Sequence, residues 1–136
     1  ICMRNAKVEL IDVALRGCRN KALFIPNSAS ATTVVATRCE FANSSHGAVI
    51  GGSETSATFN NCVFNDNSGY GIFGRESTIH LHGETTAIHS NRGHGIWAFD
   101  SGKILIHLPS HHNTLYNNTR GDRRTDNDGT ITNVED

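Results

Sequence analysis

Cys62-Val63-Phe64-Asn65-Asp66-Asn67-Ser68-Gly69-Tyr70-Gly71-Ile72-Phe73-Gly74 is the stretch that decides the fold, because its features recur on either side. Upstream lie Cys39-Glu40-Phe41, Asn43 and Gly47-Ala48-Val49-Ile50; downstream lie Thr86-Ala87-Ile88, Asn91 and Gly95-Ile96-Trp97-Ala98. Asn43, Asn67 and Asn91 are evenly spaced, and Gly47, Gly71 and Gly95 advance by the same interval. A fixed period of this length marks a solenoid, in which one repeat cannot bury its apolar face alone and must stack on its neighbours.

Apolar residues alternate over short runs, as in Ile79-His80-Leu81-His82 and Ile104-Leu105-Ile106-His107. This is strand periodicity, and no segment has the length and 3.6-residue spacing of a helix. Gly, Asn and Ser between the runs predict three brief strands per repeat, separated by turns. Short strands without crossover helices make the coils of a parallel β-helix, here an all-β solenoid of about five coils. An immunoglobulin-like sandwich would need hairpins and would leave no fixed columns of like residues.

Stacking predicts three inward columns. One holds Val8/Leu10, Thr33/Val35, Ala57/Phe59, Ile79/Leu81 and Ile104/Ile106; the second holds Leu15, Phe41, Phe64, Ile88 and Leu115; the third holds Leu23, Ala48, Ile72 and Ile96. Coils about 4.8 Å apart would bring like side chains into contact. Asn43, Asn67 and Asn91 are expected to form an asparagine ladder, extended by Asn20 and Asn117. Asn tolerates the left-handed conformation of a tight turn, and its amide can bond the next amide.

The length of 136 residues suits one domain, with coils over residues 1–119 and a charged C-terminal tail or cap over 120–136. Beginning with Ile1, the chain reads as a fragment or processed product. A formal net charge of −1 gives no electrostatic reason to expect nucleic acid, and no apolar run approaches a membrane span. Cys39 and Cys62 occupy equivalent places on the parity of Phe41 and Phe64, which suits stacked free thiols in a core; no CxxC pair suggests zinc.

The pattern C/T-x-F/I-x-x-N-x-x-x-G-I over residues 7–118 resembles the right-handed parallel β-helices of the pectate-lyase-like superfamily, the carbohydrate-binding and sugar-hydrolase repeats. The resemblance implies a right-handed, single-stranded coil. Members include polysaccharide lyases, polygalacturonases, epimerases and tailspikes, together with non-enzymatic modules such as the substrate-recognition repeats of certain F-box proteins. Activity therefore has to be argued from the site.

Three groups of residues are candidates. Arg92-Gly93-His94-Gly95-Ile96 resembles the Gly-His-Gly motif of polygalacturonases, whose His lies beside paired aspartates; the companion Asn-Thr-Asp, Asp-Asp and Arg-Ile-Lys motifs are absent from the sequence. Glu76 and Asp100, again one repeat apart, stand near Arg75 and Lys103. Two carboxylates at coil spacing repel, which raises one pKa or invites a cation. With His94 they are the catalytic candidates for a lyase, hydrolase or epimerase. The outward face of the third strand is the ligand-binding candidate. If Leu23, Ala48, Ile72 and Ile96 point inward, Phe24, Val49, Phe73 and Trp97 point outward, flanked by His46, Tyr70 and His94. Stacked rings on a flat sheet suit sugar faces or an apolar protein partner.

Eight histidines raise the question of a metal. His82 and His107 lie about one repeat apart, with His80 and Glu84 nearby, but no compact trio follows from the sequence, so exposed histidines without an ion are expected. Asp126-Asn127-Asp128-Gly129 is similar to a calcium loop, but Arg124 holds the first ligand position, so no cofactor is expected and Ca²⁺ is the alternative. The reading that results is a non-catalytic β-helix module binding a polysaccharide or protein through Tyr70, Phe73, Trp97, His46 and His94. A polysaccharide-active enzyme and an architectural repeat are the alternatives, the latter forming a homo-oligomer end to end through an uncapped N-terminal coil.

Overall fold

The computed structural model describes residues 1–27, 31–107 and 114–135. Sixteen strands, β1 to β16 in chain order, form three parallel sheets, and no helix forms among the described residues. The first sheet stacks β1 (Lys7–Ile11), β4 (Thr32–Thr37), β7 (Thr55–Asn60), β10 (Thr78–His82), β13 (Lys103–His107) and β16 (Thr130–Val134). The second stacks β2 (Ala14–Arg16), β5 (Glu40–Ala42), β8 (Val63–Asn65), β11 (Ala87–His89) and β14 (Leu115–Tyr116). The third stacks β3 (Lys21–Ile25), β6 (His46–Gly51), β9 (Ile72–Arg75), β12 (Ile96–Phe99) and β15 (Arg123–Asp126). Each strand pairs with the strand three places on, so the chain climbs one layer per circuit, a parallel β-solenoid of about five turns. Strand pairing continues past residue 119, where β15 and β16 stack on β12 and β13.

The second and third columns form as expected. Leu15, Phe41, Phe64, Ile88 and Leu115 are partners in register, as are Leu23, Ala48, Ile72 and Ile96. The Phe41 and Phe64 rings stack at 4.8 Å, and Phe59 meets both edge-on, at 5.7 and 4.9 Å. The first column needs one correction. Val8 pairs with Val34 and Leu10 with Ala36, so Val34 and Ala36 are buried while Thr33 and Val35 face outward, half-buried. The chain takes one residue more between β1 and β4 than the expected pairing of Val8 with Thr33, and a slip of one position inverts strand parity. Thr32-Thr33-Val34-Val35-Ala36 is β-branched on both faces and does not betray the shift.

The asparagine ladder also forms, with different members. Asn67 Nδ2 donates to Asn91 Oδ1 at 2.9 Å, Asn91 Nδ2 to Asn118 Oδ1 at 2.9 Å, and Asn118 Nδ2 to Asp122 Oδ1 at 2.9 Å. The backbone N–H groups of Ser44, Asn67 and Asn91 donate to the amide oxygen one layer on. Ser44 occupies the place expected of Asn43, and Asn118 the place expected of Asn117. Asn20 meets the next layer through its backbone carbonyl, which accepts the Ser45 N–H at 2.9 Å. Asn43 and Asn117 stand one residue earlier, in a left-handed column with Gly17, Asp66 and Ser90, all with φ between 52 and 68°. The step from Phe41 to its partner Phe64 is one residue shorter than the step from Asn43 to Asn67, so the asparagine step crosses columns.

The glycines at 47, 71 and 95 are set by close approach. A Cβ on Gly71 would lie 2.6 Å from the Gly95 carbonyl oxygen and 2.6 Å from Ile88 Cγ2. Cys39 and Cys62 are free and buried, their thiols donating to backbone carbonyls of Leu10 and Ala36.

Candidate functional site

The third sheet carries an aromatic face. Phe24, Val49, Phe73, Trp97 and Arg124 are successive partners across β3, β6, β9, β12 and β15. Each apolar or aromatic member is half-buried, whereas Leu23, Ala48, Ile72, Ile96 and Ala98 are fully buried, so alternation turns this column outward. Trp97 is its centre. Tyr70 and Phe73 meet it edge-to-face, both at 4.9 Å, and Phe99 at 5.8 Å. His46 stacks on Tyr70 at 4.7 Å, and His94 approaches Trp97 at 6.4 Å. The surface thus differs from the flat stack of rings the repeat suggests. Around Trp97 the negative ring faces take the positive ring edges of their neighbours, and the indole Nε1 is buried without a hydrogen-bond acceptor among the described residues.

Two residues join that the sequence reading does not single out for this face. Phe99 has the parity of Trp97 two positions on, a signal already present in the sequence. The Arg124 guanidinium lies 4.0 Å from the Trp97 ring centre, a cation–π contact, and its Nε donates to Asp126 at 2.6 Å. Only the pairing of β12 with β15 puts that arginine beside the indole.

A polar groove lies at the turn that leads into the third sheet. Ser45, Ser68 and Arg92 lie one or two residues before His46, Tyr70 and His94, and they line it together with Ser44, Asp66 and Ser90. His46 Nδ1 accepts the Tyr70 backbone N–H at 2.9 Å, a bond that needs the neutral ring. Burial pushes the His46 pKa below its ordinary value, and the charge of Lys21 adds to this. Burial acts likewise on His94, reinforced by Arg124 and Arg120.

The three catalytic candidates do not meet at one point. Glu76 and Asp100 occupy equivalent places after β9 and β12, both left-handed at φ 63 and 48°. Asp100 accepts Arg75 Nε at 3.0 Å and Asn127 Nδ2 at 3.1 Å. Asp100 and Ser101 are the central residues of a turn closed by Gly102 N–H to the Phe99 carbonyl at 3.0 Å. His94 sits before β12, so the strand Ile96–Phe99, roughly 13 Å of chain, separates it from Asp100. Asp126-Asn127-Asp128-Gly129 repeats that turn one layer on, with both central residues left-handed and Asp126 engaged by Arg124.

The histidines of the first sheet behave differently. His80, His82 and His107 each offer one ring nitrogen within 4.8 Å of the other two, a trio the sequence does not reveal. Glu84 lies outside it, lining a cleft with Arg38, Asn61 and Thr85. Residue spacing shows His82 and His107 to be neighbours; that His80 reaches diagonally to His107 depends on side-chain direction.

No curated protein and no solved structure gives a match. The family described as "right handed beta helix region" matches residues 1–135, nearly the whole chain, in agreement with the coiled sheets and stacked columns above. The chain therefore belongs to the right-handed β-helix family.

Proposed function

We propose that this right-handed β-helix domain is a non-catalytic module that binds a polysaccharide across the outward face of its third sheet. One observation carries the reading: half-buried rings of Tyr70, Phe73, Trp97 and Phe99 cluster on the third sheet, and the polar groove lined by Ser45, Asp66, Ser68 and Arg92 lies at the turn that leads into it. A sugar ring has apolar C–H faces and a rim of hydroxyls, and it needs both kinds of surface side by side. Arg92 in the groove favours a glycan that carries carboxylates, which guanidinium groups engage in a bidentate manner, whereas Arg75 and Arg124 are already held by Asp100 and Asp126. The left-handed turn positions of Glu76 and Asp100, and their separation from His94, count against assigning them an acid–base role.

Trp97 is the only tryptophan, which makes the site self-reporting. Oligosaccharides of neutral and uronate type, selected on a glycan array, are expected to shift Trp97 fluorescence saturably, without new reducing ends or the ultraviolet absorbance of an unsaturated uronate. Product formation would replace the module with an enzyme. Concentration-dependent oligomers with no response to any glycan would replace it with an architectural repeat.

A further inference from the structure

The outer face of the first sheet, around the coil from the aromatic surface, holds a second cluster. His80 and His82 are alternate residues of β10, with Ile79 and Leu81 buried between and beside them. The register Ile79 with Ile104 and Leu81 with Ile106 sets His107 of β13 next to His82. The His82 and His107 rings lie 3.9 Å apart at 14°, and His80 Nδ1 is 2.9 Å from His107 Nε2. All three side chains are half-buried.

We propose that His80, His82 and His107 form a binding site for a late first-row divalent metal ion, Zn²⁺ or one of its close competitors. The donor set is three imidazoles, which suits Zn²⁺, Cu²⁺, Ni²⁺ or Co²⁺ and disfavours Ca²⁺ and Mg²⁺, which take oxygen. Tetrahedral Zn²⁺ with Zn–N of about 2.0–2.1 Å needs nitrogens roughly 3.3 Å apart. One pair here stands at 2.9 Å and all three nitrogens lie within 4.8 Å, so rotations of the imidazoles about their own side-chain bonds close the site without moving the strands. The 2.9 Å contact has one ring donating and the other accepting. An ion takes the lone pairs of both nitrogens once the donor ring shifts to its other tautomer. Two ligands from one strand and one from the next leave the outward side of the ion open to water or to an exogenous ligand.

The test uses the full chain and the metals alone. Zn²⁺ titration at pH 7.5 is expected to give saturable binding of one ion per chain and to raise the unfolding midpoint. Co²⁺ should give a d–d spectrum without the charge-transfer band of a thiolate ligand, which separates this site from the free cysteines. Replacing His82 or His107 with Asn should weaken Zn²⁺ binding at least tenfold and abolish the metal-induced stabilisation. His89→Asn, which alters a ring stacked on Tyr116 in the second sheet, should change neither. If a replacement perturbs folding, Cu²⁺ broadening of the His80, His82 and His107 ring resonances in the unaltered chain decides the matter. Absence of saturable binding at millimolar Zn²⁺ would overturn the assignment. So would equal affinity in the variants, or a thiolate band in the Co²⁺ spectrum.

Discussion

The ladder of Asn67, Asn91 and Asn118 and the cluster of Tyr70, Phe73 and Trp97 come from the same coils and lie a few residues apart, yet one is closed and the other open. In the ladder the Asn91 amide accepts from Asn67 and donates to Asn118 and to the Phe64 carbonyl, and Asn67 and Asn91 are buried. On the aromatic face the residues are half-buried, and the Trp97 Nε1–H finds no oxygen or nitrogen acceptor among the described residues. Repetition serves both, since it stacks like on like. What separates them is whether the stack satisfies itself. A column that closes its own hydrogen bonds stabilises the solenoid; one that presents ring surface to solvent can lose that surface to a ligand.

The sharpest way to break the contrast is to damage the closed side. Phe64→Ala removes a ring packed against Phe41 and Phe59 and is expected to cost about 3–5 kcal/mol, read as the shift in a urea midpoint. Asn91→Ala should come next, at about 3 kcal/mol. It takes the side-chain donor from the Phe64 carbonyl and the acceptor from the Asn67 backbone N–H, and it removes the amide link between Asn67 and Asn118, whose Oδ1 keeps only the backbone N–H of residue 91. A loss below about 1 kcal/mol would mean that water replaces the amide and that the ladder is dispensable.

Trp97→Ala examines the open side. It should cost about 2–3 kcal/mol of stability, measured by circular dichroism, less than Phe64→Ala because the ring is only partly buried. Glycan affinity should nevertheless fall by tenfold or more, about 1.4 kcal/mol of binding. Unchanged affinity would remove the aromatic face from the function.

The smallest effects are chemical and pH-dependent. Burial pushes the Cys62 thiol up to about 12, so a thiol reagent at neutral pH should label exposed Cys2 quickly and Cys62 only on unfolding. For His46 the folded pKa lies below the ordinary 6.5, so the unfolded chain binds the extra proton first. Its contribution is intact above that pH and is lost as the pH falls, when protonation also removes the acceptor for Tyr70 N–H. Stability should decline from pH 7 toward 5, less steeply in His46→Gln, whose side-chain oxygen still accepts. Equal slopes in the two proteins would assign the decline to other groups, such as His80 and His94.

Both sides are legible in the chain to different depths. The glycines at 47, 71 and 95 announce their column because backbone approaches backbone there, and only glycine fits. The asparagines mislead by one residue at Asn43, because the turn has its own left-handed column next to the ladder and Asn suits both. An inward reading of Thr33 and Val35 fails because a run that is β-branched on both faces carries no parity signal. Phe73 and Trp97 follow from alternation, whereas Arg124 comes from a coil that departs from the repeat.

Periodicity is a property of the chain, and it alone determined that this protein coils, that like residues stack and that the rings of the third strand face outward. The tertiary structure decided which member of each turn enters the ladder, the edge-to-face packing around Trp97, and the meeting of His80 with His107. The reason is geometric. A repeat specifies which backbone positions are neighbours along the solenoid axis. The direction in which each side chain leaves its strand, and the diagonal partners it meets, depend on a step that varies from layer to layer. Ala57 to Ile79 is a short one and Lys103 to Thr130 a long one.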